Sequence, residues 1–203
     1  MINKERVTQT FLDYVRIDSE THYEKEMTAR LVADLEQLGL EVYTDQAGKI
    51  PGVDSDGANV YCFLEGDPNY DAILFSSHMD TVTPGKGIEP YIEDGYIRTR
   101  GNTILGADDK SGVAAIMEAL RTLVETGAPH RPVEVIFTIR EEPIWSMTVS
   151  GPNMVSCWTP ATMWESLLPV LPARCEFMPI STVKWLMQVP IRKRVSAPFR
   201  QQL

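Results

Sequence analysis

A change of character immediately after Glu142 constrains this chain more than any other feature of its sequence. Residues 1–142 hold 26 of the 28 acidic side chains and 13 of the 19 basic ones, a net charge of −13. Residues 143–203 hold two acids, Glu165 and Glu176, against six bases, a net of +4. They also carry all four tryptophans, five of nine methionines and eight of fourteen prolines, with Gly151 the single glycine and no aspartate or histidine. Such a stretch has poor turn chemistry and is interrupted too often for long helices. Two domains are therefore expected: a folded unit over 1–142 and an atypical, poorly ordered tail over 143–203. The plainest reading of the tail is a linker with an interaction surface.

Within 1–142, hydrophobic spacing alternates between helix and strand. Val7, Phe11, Leu12 and Val15 mark a helix over 4–16, and Met27, Leu31, Val32, Leu35 and Leu38 mark a second over 24–38, with Gly39 where a C-cap belongs. Leu40–Thr44 and Asn59–Leu64 are short β-rich runs. Ala72–Ser77 and Val133–Ile139 are continuous apolar runs, which predict strands buried on both faces. Asp94-Gly95 predicts a hairpin between Pro90–Glu93 and Tyr96–Thr99, and Asp109–Thr126 predicts a third helix. The expected fold class is α/β, a central mixed or parallel sheet flanked by helices.

Composition narrows the functional classes. With 43% hydrophobic residues in 203, the chain can bury a sizeable core, and no apolar run approaches the roughly 20 residues of a membrane helix. A net charge of −9 opposes nucleic acid and anionic membranes as partners. Cys62, Cys157 and Cys175 are odd in number and unpaired in spacing, and the N-terminus shows no secretory signal. A cytoplasmic location is expected.

Three polar clusters follow or precede these elements. Ser76-Ser77-His78-Met79-Asp80-Thr81-Val82 ends the first apolar strand, and the His-x-Asp spacing sends His78 and Asp80 to one side of an extended chain. That suits a metal-binding imidazole steered by a carboxylate, or ordinary loop chemistry. Gly106-Ala107-Asp108-Asp109-Lys110-Ser111-Gly112 opens the third helix. Here Asp108 either bridges cations, caps the helix, or joins Lys110 in a surface ion pair. Arg140-Glu141-Glu142 ends the second apolar strand. Its adjacent carboxylates can divide labour between metal and proton, or form a solvated acidic loop. Taken jointly, the clusters put imidazole and carboxylates at strand ends, where open α/β sheets build their sites. Nitrogen and oxygen donors without thiolate suit zinc, with cobalt or manganese as substitutes.

These three motifs in this order resemble the peptidase T-like branch of the co-catalytic dizinc peptidases, a family that also holds carboxypeptidases, dipeptidases, aminoacylases and succinyl-diaminopimelate desuccinylase. The resemblance covers about residues 1–142, including Asp94-Gly95-Tyr96, and implies an incomplete zinc exopeptidase-like catalytic domain. It implies that His78 binds one zinc, Asp80 orients and polarises it, Asp108 bridges two zincs, Glu141 is the general base and Glu142 binds the other zinc. Two zincs would clamp a water and lower its pKa toward ~7 while Glu141 takes the proton. The implied substrate is a short peptide; removal of an acyl group from an amino acid is the alternative within the family. The family pattern also needs a further carboxylate, a late histidine and an inserted domain, whereas Pro143-Ile144-Trp145 stands where a glycine-rich continuation belongs. A chain truncated in this way is expected to be weakly active or inactive, or to act as a non-catalytic metal- or partner-binding fragment. Oligomeric state is left open.

The tail has a reading in another frame. If each shifted codon takes the last base of one residue and the first two of the next, Met154-Val155 must give Gly. Cys157-Trp158 must give Leu, Trp158-Thr159 Asp, Met163-Trp164 Val and Trp164-Glu165 Gly. The resulting Gly-x-x-Leu-Asp-x-x-x-x-Val-Gly resembles the family segment that carries the missing carboxylate. Thr182–Ala197 shifts the same way toward the start of the inserted domain, with Ala forced at Met187-Gln188. Loss of frame near codon 143 is the resulting expectation.

Overall fold

The computed structural model describes residues 2–142. The tail over 143–203, its boundary, its frame and Cys157 and Cys175 lie outside the described residues.

Helices α1 (Lys4–Val15) and α2 (Lys25–Gln37) lead into strand β1 (Glu41–Thr44), a 3-10 turn (Ala47–Lys49) and β2 (Val60–Leu64). There follow β3 (Ile73–His78), the hairpin β4 (Pro90–Glu93) and β5 (Tyr96–Thr99), α3 (Ala107–Thr126) and β6 (Val133–Thr138). Asn3 caps α1 by accepting the Arg6 N–H at 3.0 Å, and Gly39 leaves α2 at φ +77°. Asp94 and Gly95 both turn through positive φ, +52° and +79°, which is the backbone a two-residue hairpin requires. The short 3-10 turn carries no hydrophobic periodicity and has no counterpart in the sequence reading.

Four strands form a mixed sheet in the order β1-β2-β6-β3. β1, β2 and β6 pair antiparallel, while β3 runs parallel to β6 and reaches it through α3. One face of the sheet gives Val60, Cys62, Val133, Val135 and Phe137 to a core that α1, α2 and α3 complete with Tyr14, Val15, Met27, Leu31, Leu35, Val113, Met117 and Leu120. Each such side chain removed from water contributes about 1.5–3 kcal/mol before the entropy of ordering it. Glu118, buried on α3, accepts from Arg6 at 2.7 Å and from the Asn3 N–H at 2.8 Å, which ties α1 to α3.

β6 is the buried centre that its apolar run predicts. β3 is not: it is an edge strand among the described residues, and Leu74 is 44% exposed. Its apolar alternation covers the core with one face only, so a strand buried on both faces is corrected to a half-covered edge. What matters for the site is that β3 and β6 are parallel neighbours. Their carboxyl ends, at His78 and Thr138, are paired in register.

Candidate metal centre

From the end of β3 the chain delivers His78 and then Asp80, both buried, with Met79 locked in the core between them. The His78 ring is held at Nδ1, 3.0 Å from the Asp80 carbonyl oxygen and 3.4 Å from its Oδ1. The shorter contact is the hydrogen bond, and the carboxylate adds its charge. Nε2 therefore faces outward, 3.2 Å from Asp108 Oδ1 and 3.7 Å from Glu141 Oε2. Burial alone would depress the imidazole pKa, but Asp80, Glu141 and Asp108 outweigh it and raise it to about 9. Coordination through Nε2 would displace that proton.

Asp108 sits where the chain enters α3. The Asp108–Asp109 peptide is cis, and both residues are outside helical φ/ψ. The helix cap is Asp109: its carboxylate accepts the Gly112 N–H at 3.1 Å and the Ser77 hydroxyl at 2.7 Å. The capping role considered for Asp108 thus belongs to its neighbour, and the Asp108 side chain is 87% exposed, pointing at His78. A surface ion pair with Lys110 is also excluded. Lys110 is fully buried and donates to the Ile17 carbonyl at 2.7 Å, and burial pulls its pKa down to about 8.

The third arm comes from the turn after β6. Arg140 adopts φ +59°, and Glu141 and Glu142 follow it. One ligand atom from each of His78, Glu141 and Glu142 lies within 4.8 Å of the others. Beneath them Asp80 accepts the Glu141 N–H on Oδ1 at 3.0 Å, and the Glu142 N–H and Thr21 hydroxyl on Oδ2 at 3.1 and 2.9 Å. Burial pushes the Asp80 carboxyl up, but His78 and these donors more than offset it and hold it below the ordinary range. Burial raises the Glu142 carboxyl, with Asp108, Glu141 and Asp80 adding to the rise against His78.

All five residues singled out from the sequence, His78, Asp80, Asp108, Glu141 and Glu142, thus belong to one cluster. One imidazole and converging carboxylates, with no thiolate, fit a divalent transition metal. Sequence reasoning missed Thr21, Glu24 and Asn59, which hold the cluster from 59 to 116 residues away and carry no local signal. His22 and His130 are half-buried, each with Nδ1 against a backbone oxygen, of Asp54 and Arg131 respectively, and neither joins the His78 group. Cys62 is buried and unpaired, its thiol pushed up to about 12 by burial. No helix among the described residues is long and apolar enough to cross a membrane.

Residues 74–165 match the profile of peptidase family M20/M25/M40. The uncharacterized protein YqjE of Bacillus subtilis is 44% identical over 142 residues, covering 70% of this chain and 38% of that protein. A tripeptidase from Staphylococcus aureus superposes with a TM-score of 0.67 at 40% identity, covering 70% of this chain and 38% of that one. Aminopeptidase PepT from Bacillus cereus superposes with a TM-score of 0.66 at 42% identity, covering 73% and 40%. The chain spans about two fifths of the length of these relatives.

Proposed function

From a chain that carries part of a peptidase family M20/M25/M40 domain, we propose the N-terminal portion of a zinc-dependent exopeptidase that hydrolyses short peptides. One observation carries this reading: His78, Asp108, Glu141 and Glu142 arrive from three separate elements and converge above a buried Asp80. The likeness to a tripeptidase and an aminopeptidase supports short free peptides over N-acyl amino acids. His78, Asp108 and Glu142 would hold the metal, two zinc ions in a complete site, with cobalt or manganese as substitutes. Bound zinc supplies a Lewis acid for the peptide carbonyl and lowers the pKa of the attacking water. Glu141 accepts the proton of that water and returns it to the leaving amine. Asp80 fixes the tautomer and direction of His78 and, through two backbone amides, the positions of both glutamates. A cytoplasmic setting is part of this reading, supported by the buried, free thiol of Cys62.

With no histidine after Glu142, the chain itself supplies part of a dizinc site, and its own hydrolysis is expected to be weak or absent. The test is zinc titration of the full chain together with a panel of free tripeptides and N-acyl amino acids. Zinc bound by the wild type and lost in His78→Ala, with turnover near background, is the expected result. Robust zinc-dependent turnover that vanishes in Glu141→Ala would overturn the expected inactivity and leave the peptidase reading standing. Absence of zinc binding would overturn the metal site itself. Residues 143–203 are proposed to be read out of frame. Nucleotide sequence across codons 135–165 that does not give the shifted Gly, Leu, Asp, Val and Gly would end that part of the reading.

A further inference from the structure

The turn that carries Glu141 and Glu142 is held in an unusual way. Its four consecutive backbone N–H groups, from Ile139 to Glu142, all donate to side chains rather than to a strand or helix. Ile139 donates to Asn59 Oδ1 at 3.0 Å, Arg140 to Glu24 Oε1 at 3.1 Å, and Glu141 and Glu142 to the two oxygens of Asp80. Arg140 in the middle adopts φ +59°, a conformation that a non-glycine residue keeps only where its surroundings hold it.

Glu24 is the least expected of these acceptors. It occupies the N-cap position of α2, yet its side chain makes no capping hydrogen bond to that helix. Instead it is fully buried, taking the Ser55 hydroxyl on Oε2 at 2.5 Å and the Arg140 N–H on Oε1. A carboxylate removed from water and diverted from the helix end it could stabilise needs another reason to be there. Asn59 is oriented as firmly. Its amide nitrogen donates to Asp45 Oδ2 at 2.8 Å, which aims its oxygen at Ile139. The Arg140 side chain anchors the outer side of the turn on the carbonyls of Gly52 and Val53.

We propose that Glu24 and Asn59 are positioning residues for the metal centre, fixing the 139–142 backbone so that Glu141 and Glu142 face His78 before any ion arrives. This inference rests on the metal-site reading above and deepens it, since outer partners of ligands typically change metal affinity by about 10–100-fold. The test uses the full chain with Zn2+ as the probe, competed against a chromophoric chelator. Glu24→Ala is expected to weaken Zn2+ binding by about 10–100-fold. Glu24→Gln keeps an acceptor for the Arg140 N–H and a partner for Ser55, so it is expected to restore most of that affinity. Leu31→Ala, which loses packing in the same helix without touching the turn, sets the effect of instability alone.

Equal affinities for wild type and Glu24→Ala would overturn the proposal, as would equal losses in Glu24→Ala and Leu31→Ala. Amide hydrogen exchange of residues 140–142 in metal-free protein supplies a second, independent readout. Faster exchange there in Glu24→Ala than in Leu31→Ala supports positioning, and equal exchange rejects it. If the wild type binds no Zn2+, the metal-site reading fails, and the exchange comparison still decides whether Glu24 holds the turn.

Discussion

Asp80 and Asp108 address the same imidazole from its two nitrogens and live in opposite surroundings. Asp80, on the Nδ1 side, is fully buried and accepts two backbone amides and a hydroxyl besides. Asp108, on the Nε2 side, is 87% exposed, and its cap position has been taken by Asp109. The same residue type therefore does two jobs. On the inner side the fold satisfies both oxygens and builds a floor; on the outer side it turns the carboxylates of Asp108 and Glu141 toward His78 Nε2. On the proposed reading, a floor fixed in this way would hold the ligands in place for an ion, with little rearrangement on binding.

The largest effect that could break this comparison is Asp80→Ala. It strands the partly buried Glu141 and Glu142 amides and the Thr21 hydroxyl, and it takes from His78 the charge on its Nδ1 side. Loss of a buried, multiply bonded carboxylate costs about 3–5 kcal/mol, readable by urea denaturation, and zinc affinity should fall with it. Asp108→Ala is the counterpart: stability within about 0.5 kcal/mol of wild type, as for an exposed side chain, but weakened zinc binding. Similar stability losses in the two variants would dissolve the distinction between floor and outer side.

A smaller effect separates the two glutamates. On the proposed reading, Glu142→Gln takes away a ligand and should weaken zinc, whereas Glu141→Gln takes away the proton acceptor and should leave zinc affinity nearly unchanged. Both side chains lie in the same group around His78, so geometry alone gives them similar access. Isothermal titration with zinc distinguishes them. Equal loss in both would make Glu141 a ligand and move the base elsewhere.

Why the floor was harder to read than the outer side follows from the physics of each. Helix and strand positions came from local periodicity: α1, α2, α3 and β6 fall within a residue or two of their predicted spans. His78, Asp108, Glu141 and Glu142 stand in dense polar motifs at element ends, and motifs of that kind are visible in one dimension. Glu24 looks like an ordinary helix-start acid, Asn59 like the polar edge of a strand, and Thr21 like a loop residue. Their roles exist only because the fold brings them to Asp80 and the 139–142 turn. The apolar run of β3 misled for a related reason, since continuous hydrophobicity reports that a strand is in a sheet and not how many of its faces are covered. Beyond Glu142 the sequence is informative in a different way. The family match runs over residues 74–165 of the chain as written, across the break in composition, so the nucleotide sequence of those codons bears directly on the proposed loss of frame.

The smallest expected effect lies outside the candidate metal centre, on the tie between α1 and α3. Glu118 is buried on α3 and receives Arg6 from α1, with the Asn3 N–H and the Thr122 hydroxyl on the same carboxylate. Burial by itself would raise its pKa, but the Arg6 hydrogen bonds and these donors outweigh it and lower it. A carboxyl whose folded pKa lies below its unfolded value adds stability that is fully present above the ordinary range near ~4.3 and is lost as the pH falls through the folded value. Glu118→Gln should therefore cost on the order of 1 kcal/mol at neutral pH, the scale of a charge-assisted hydrogen bond. The difference between wild type and variant should hold down to about pH 5 and shrink below it. Urea denaturation of both proteins across that range measures it. A gap that stays constant into strong acid would mean that the α1–α3 tie works by packing rather than by charge.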